Sequence, residues 1–142
     1  MQIEPPAIDW SRIDLSEIGI AGVTPSRQQR SRDTTAALLR AGADLLRRHS
    51  LDELSIEALC ADVGATVGAF YSRFQSKEVY FTVLLELAAR DATVHLARMA
   101  QNERLRTAEL GKLCHVIVGQ INRWMCAHEG VVRAASSSRT LK

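Results

Sequence analysis

From Asp33 to Gly130 the chain contains no proline, and its apolar residues return every three or four positions, the spacing of one helix face. Leu38, Leu39, Gly42, Leu45 and Leu46 share a face of a first helix, while Arg40, Asp44, Arg47 and Arg48 point elsewhere. His49-Ser50 ends it. Ser50-Leu51-Asp52-Glu53 matches a capping box, yet Ser55 is the better helix start, because Ile56, Leu59 and Cys60 then fall on one apolar face. The Ser50 match reads as a turn.

Gly64 stands where a left-handed residue closes that short helix, and Thr66 suits the cap of the next, over residues 67–73. Phe70 and Phe74 form its inward face. Ser76 starts a long helix over residues 77–102, with Glu78 in its first turn and Tyr80, Leu84, Leu87, Ala88 and Leu96 keeping the period. Glu86 and Arg90 pair one turn apart. A last helix over residues 108–127, capped by Thr107, carries Leu110, Leu113, Cys114, Ile117, Val118, Ile121, Trp124 and Met125 on a three-four repeat. That stripe is expected to be buried against something, and Gly130 to stop the helix. No strand pattern appears. The fold class is all-α.

The flanks differ. Residues 1–31 hold all three prolines, Pro5, Pro6 and Pro25, and glycines interrupt their only apolar run, so a largely disordered leader is expected, with Trp10 and Ile13 able to dock. Its basic end, Arg27, Arg30 and Arg32, suits either an arm for the minor groove or a solvated tail. Residues 131–142 are rich in Ala, Ser and Arg and read as a disordered tail.

Composition narrows the function. With 46% hydrophobic and 24% charged residues among 142, the chain is globular, and no apolar run approaches the roughly 20 residues of a membrane span. A net charge of +2 requires any nucleic-acid surface to be a local patch. Cys60, Cys114 and Cys126 are unevenly spaced and read as reduced thiols of a cytoplasmic protein.

Residues 55–78 carry the function. Two short helices around Val63-Gly64-Ala65 fit a helix-turn-helix, whose close crossing needs the small Ala61, Gly64 and Ala65. The second helix would turn Thr66, Val67, Ala69 and Ser72 toward a major groove, with Tyr71, Arg73 and Lys77 placed to reach phosphates.

Val63-Gly64-Ala65-Thr66-Val67-Gly68-Ala69-Phe70-Tyr71-Ser72-Arg73-Phe74-Gln75-Ser76-Lys77-Glu78 resembles the DNA-binding signature of TetR/AcrR-family bacterial transcriptional regulators. Leu38-Leu39-Arg40-Ala41-Gly42-Ala43-Asp44-Leu45-Leu46 resembles that family's first helix, and the similarity covers roughly residues 32–100. The resemblance implies a three-helix helix-turn-helix domain, a long connecting helix and a partial helical regulatory domain. The boundaries are a leader 1–31, a DNA-binding domain 32–78, a regulatory or ligand-binding domain 79–130 and a tail 131–142. By the same resemblance Ser55 caps helix two and touches phosphate, Thr66, Val67, Gly68 and Ala69 start the recognition helix, and Tyr71 and Lys77 contact phosphate. Ser72 and Arg73 complete the DNA-binding set.

Val67 stands where such proteins often carry Lys or Arg, which leaves a nearly uncharged reading surface dependent on thymine methyls and DNA shape. The family also usually continues through further helices that complete an effector pocket and a dimer face, so this chain reads as having a shortened regulatory domain.

The resemblance suggests that His95, Met99 and Trp124 line a ligand cavity between the last two helices; on residue type alone they suit core or partly exposed helix positions. Cys114, His115, Cys126 and His128 do not make a metal site, because neighbours in a helix point to different sides. No cofactor is expected and no enzyme activity, since phosphate loops, metal-protease motifs and nucleophile elbows are all missing from the sequence. The expected function is a ligand-responsive, dimeric repressor binding a palindromic operator on double-stranded DNA. The alternative is a truncated helical module that heterodimerises with a full-length relative and modulates its DNA binding.

Overall fold

Three hydroxyl side chains open three successive helices. Ser55, Thr66 and Ser76 have extended backbone, and each side-chain oxygen accepts an N–H from three residues on: Ala58 at 3.2 Å, Ala69 at 3.0 Å and Val79 at 3.2 Å. Each satisfies one N–H that a helix start leaves unpaired. A computed structural model describes residues 8–25 and 27–137. Among them the helices are α1 (Gln29–Leu45), α2 (Ile56–Asp62), α3 (Val67–Tyr71), α4 (Lys77–Ala100), α5 (Glu103–Arg106), α6 (Leu110–Ala127) and α7 (Glu129–Ser137). The described residues contain no strand, only one isolated antiparallel bridge between Val23 and Phe74. The protein is all-α.

The core lies where α1 to α4 meet. Leu38 and Leu39 of α1, Leu59 of α2, Phe70 of α3 and Val83 and Leu84 of α4 are buried with Phe74 and Tyr80. The rings of Phe70, Phe74 and Tyr80 are mutual neighbours with centroids 5.1–5.2 Å apart. Burial of each such side chain contributes roughly 1.5–3 kcal/mol, and this aromatic cluster fixes α3 against α4. Tyr80 reaches α1, where its hydroxyl donates to the Leu38 carbonyl at 2.7 Å. Gly42 makes that approach possible, since a Cβ there would overlap the Tyr80 hydroxyl.

Ser50 and Glu53 bond reciprocally, Ser50 N–H to Glu53 Oε2 at 2.8 Å and Glu53 N–H to Ser50 Oγ at 3.3 Å, without starting a helix. The capping-box match is a turn, as read from the sequence.

The flanks depart from expectation. Residues 8–25 are packed rather than disordered: Asp9 and Asp14 cap 3-10 turns at Trp10–Arg12 and Leu15–Glu17, and Leu15 and Ile18 are buried in the core. Trp10 and Ile13 dock there as well. Apolar residues scattered between glycines have no helical period, so periodicity could not register them. The basic arm is also corrected, because Arg30 and Arg32 lie inside α1 and Arg32 pairs with Asp14 at 2.9 Å. The expected disordered tail is replaced by α7, whose Val131 and Ala134 pack on α1 and α4; residues 138–142 of that expectation, like residues 1–7 of the leader, lie outside the described residues. Gly130 does not stop a helix. It lies within α7, against the backbone of Leu46 and Arg47, where an added Cβ would sit 2.6 Å from main-chain atoms.

Three smaller boundaries move. α3 ends at Tyr71 and α4 at Ala100, each two residues short of expectation. Thr107 closes α5 instead of capping α6, whose N-cap position, Glu109, makes no side-chain cap hydrogen bond. Leu96 is exposed, and His95 and Met99 take the buried positions on the last turns of α4.

Candidate nucleic-acid interface

The turn between α2 and α3 is a Schellman closure. Gly64, at φ +68°, donates to the Ala61 carbonyl at 3.3 Å, and the next N–H, from Ala65, reaches back to Cys60 at 2.9 Å. Positive φ at this position suits glycine because no Cβ meets the preceding carbonyl. The reversal delivers Thr66 one residue later, and its cap starts α3. The helix is short, so its position depends on anchors at both ends.

Phe70 is the inner anchor, fully buried. Facing the other way, Thr66, Gly68, Tyr71 and Ser72 are exposed, whereas Val67 and Ala69 are only half exposed. Tyr71 stands edge-on to Phe70, with centroids 5.2 Å apart and planes at 85°, and 51% of its surface remains open. The ring is braced by Phe70 while about half of the residue stays open. The exposed surface of α3 carries no charged group, in line with the reading of Val67.

Arg73 is not part of that surface. Its guanidinium turns inward, Nε donating to Thr35 Oγ1 at 2.9 Å and Nη2 to Ser31 Oγ at 2.7 Å, while Nη1 bonds the Ala69 carbonyl. A cation at the end of α3 complements carbonyls with no helical partner, and the fork reaches two hydroxyls of α1 at once. The leader holds the same turn from another side, as Thr24 N–H bonds Arg73 O at 2.8 Å and Gln75 N–H bonds Gly22 O at 2.9 Å.

Lys77 also has internal partners. Its Nζ donates to the carbonyls of Leu54 at 3.2 Å and Asp52 at 3.3 Å, which leaves one of its three hydrogens for another acceptor. Ser55 caps α2 and gives its hydroxyl hydrogen to Glu57 Oε2 at 3.0 Å. Glu57 and Glu78 are held below the ordinary glutamate range, each chiefly by its own backbone N–H and then by the neighbouring cap hydroxyl. Two ionised carboxylates therefore border the starts of α2 and α4. Arg27 and Arg30 are exposed, the latter next to the Ser31 that Arg73 grips.

Residues 38–81 match the family described as bacterial regulatory proteins, tetR family. This segment is a tetR-family domain. It spans the end of α1, all of α2 and α3 and the first turn of α4, and with it the chain is a DNA-binding transcriptional regulator containing a helix-turn-helix. No curated protein matches the chain.

Beyond the tetR-family domain, His95, Met99 and Trp124 come together. They line a cavity of about 90 Å³ between α4 and α6, with Leu96, Ile117 and Gln120. The sequence reading missed Gln120, a polar residue on an apolar stripe, although it is the buried residue of α6. Its Oε1 lies 2.9 Å from His95 Nε2. The stripe itself is not buried as expected: Leu110 is 73% and Val118 66% exposed, and Ile121 and Met125 are exposed as well. No helix among the described residues is long and apolar enough to cross a membrane.

Proposed function

We propose that the chain is a ligand-responsive repressor in the cytoplasm, which binds a palindromic operator as a pair of identical subunits and reads each half-site with α3. The observation that carries this reading is the Thr66–Ser72 surface, exposed on a helix whose other side is fixed by Phe70 and Arg73. Rigid presentation matters, because base contacts need a side-chain position set before the DNA arrives. Tyr71, Thr66 and the remaining hydrogen of Lys77 supply neutral and charged donors for phosphates, and Ser55 supplies the α2 start. Val67 and Ala69, half exposed beside Gly68, favour thymine methyls and groove shape over an arginine–guanine fork.

Regulation would run along α4. Its 24 residues extend about 36 Å at 1.5 Å per residue, from the Ser76 cap beside α3 to His95 and Met99 at the cavity. A ligand that prefers one packing of α4 on α6 would shift the spacing of two recognition helices by its difference in affinity between the two packings. Pairing of subunits is supported by the exposed apolar side chains of α6, a surface that monomers rarely leave open.

Gel-shift titration against the DNA upstream of its own reading frame tests the reading. Retarded complexes of two subunits per site are expected, and Tyr71→Ala should weaken them at least tenfold. Indifference to Tyr71→Ala, or single subunits holding single half-sites tightly, would overturn it.

A further inference from the structure

We propose that Gly22 is a positioning residue for DNA reading. Through it the leader clasps the turn that leaves α3 and so fixes the exit of that helix. The assignment rests on α3 being the reading helix, as proposed above.

Residues 73–75 join α3 to α4 and belong to neither helix. The leader pairs two of their backbone groups, Thr24 N–H donating to Arg73 O at 2.8 Å and Gln75 N–H to Gly22 O at 2.9 Å. Between these bonds Val23 faces Phe74 as an isolated antiparallel bridge, and Phe74 is fully buried. Main-chain bonds of this kind hold a turn independently of its side chains. Arg73 is thus held twice, its side chain by Ser31 and Thr35 of α1 and its carbonyl by the leader. The leader has a footing of its own, because Leu15 and Ile18 are buried and Arg90 donates to the Glu17 carbonyl.

Glycine is what lets the two segments come this close. Gly22 stands at φ +85°, and a Cβ there would lie 2.8 Å from Gln75 Oε1 and 3.1 Å from Gln75 Cβ and from Val79 Cγ2 in the first turn of α4. Any side chain would push the leader off the turn. The consequence reaches DNA reading because α3 has only 5 residues, fewer than two turns, so a displaced exit tilts the whole surface from Thr66 to Ser72. Gly19 supplies a matched control. It also has positive φ, +66°, yet an added Cβ meets nothing within 4 Å.

The test compares Gly22→Ala with Gly19→Ala in the full chain, ¹⁵N-labelled. Both place alanine in a backbone region that L side chains avoid, and both should lower the thermal midpoint. Only Gly22→Ala should speed hydrogen exchange at the Thr24 and Gln75 amides, by about tenfold, and move the amide resonances of residues 67–72. The second readout is a duplex selected from a random pool by the unmodified chain. At equal folded fraction Gly22→Ala should bind it about fivefold more weakly with an unchanged salt slope, because no phosphate contact is removed, and Gly19→Ala should bind it as the unmodified chain does. If Gly22→Ala does not fold, Thr24→Pro deletes one clasp bond and leaves Gln75 untouched, and the same readouts apply. Equal exchange at Gln75 in the two glycine variants, unmoved α3 resonances, or equal DNA affinity would each overturn the positioning role. Tyr71→Ala on the same duplex separates the two claims: full affinity there removes α3 from the reading, while exchange at Gln75 still decides the clasp.

Discussion

The Arg73 guanidinium donates to the Thr35 hydroxyl across 2.9 Å, which joins the end of α3 to the first helix of the fold. In the function proposed above, the arginine would act on DNA binding through the position of α3 and not by meeting a phosphate. Arg73→Ala should destabilise the protein by about 1.5–3 kcal/mol, the usual worth of charged hydrogen bonds, and weaken operator binding. The salt dependence of the remaining binding should keep its slope, because no phosphate contact is lost. Thermal melts and gel shifts over a salt series check both halves, and a slope lowered by about one would return Arg73 to the phosphate contacts.

Tyr71 makes the opposite prediction. Its ring is braced on Phe70 and its hydroxyl has no partner within the described residues. Tyr71→Phe keeps the ring contact and should leave the melting temperature within about 0.5 kcal/mol of stability, the range of surface changes. Operator affinity should fall about three- to tenfold, as expected for one lost hydrogen bond of about 0.5–1.5 kcal/mol. Equal affinity of the two proteins would remove the hydroxyl from the interface.

Much of this arrangement was legible in the chain, for a physical reason. Helix starts depend on local hydroxyls, and Ser55, Thr66 and Ser76 sit within three residues of the N–H groups they cap. The glycine turn and the aromatic inward face are equally local. What escaped was long-range. Arg73 finds its partners 38 and 42 residues away, Lys77 finds its own 23 and 25 away, and a charged side chain beside a recognition helix looks the same in sequence whether it faces DNA or α1. Gln120 was hidden for a related reason: its burial depends on His95, 25 residues earlier. The leader and α7 escaped because packing against α1 and α4 requires apolar residues at the right places in space, with no period of their own.

The Gly42–Tyr80 contact tests the packing between α1 and α4. Gly42→Ala should destabilise the fold by about 1–3 kcal/mol despite the better helix propensity of alanine, since the new methyl collides with the Tyr80 hydroxyl. Tyr80→Phe removes that oxygen and its bond to Leu38. Combined, the two changes should cost less than the sum of the singles. Chemical denaturation of the four proteins gives the coupling, and simple additivity would mean that the helices separate freely to admit the methyl.

Acid should loosen the starts of α2 and α4 and the Ser50–Glu53 turn. Glu53, Glu57 and Glu78 all have folded-state values below the ordinary 4.5, held there by backbone N–H groups and then by the hydroxyls of Ser50, Ser55 and Ser76. A carboxylate lowered in the folded state stabilises it fully above its unfolded value, and that contribution fades as pH falls through the folded one. Stability should thus decline as pH drops below about 4.5, with the unfolded chain binding protons first. Glu53→Gln combined with Glu78→Gln should flatten the decline, as read by denaturation midpoints between neutral pH and pH 3. A curve as steep as that of the unmodified protein would place the acid sensitivity elsewhere.

The leader offers the clearest contrast between composition and structure. Its proline and glycine content resembles that of a flexible tail, and a flexible tail would tolerate loss of its apolar side chains without effect. Leu15 and Ile18 are instead buried in the same core as Phe70 and Tyr80, and Arg90 secures the segment by donating to the Glu17 carbonyl at 2.8 Å. Leu15→Ala and Ile18→Ala should each cost about 2–5 kcal/mol, as truncations in a packed core do, with the lower part of that range expected where the leader relaxes into the space. Because Gly22 and Thr24 bond the turn that carries Arg73 and Gln75, the same substitutions should also weaken operator binding beyond the fraction unfolded. Denaturation and gel shift on the two variants decide it. Unchanged stability would return residues 8–25 to the status of a loose leader, and full DNA affinity in a destabilised variant would separate the leader from the positioning of α3.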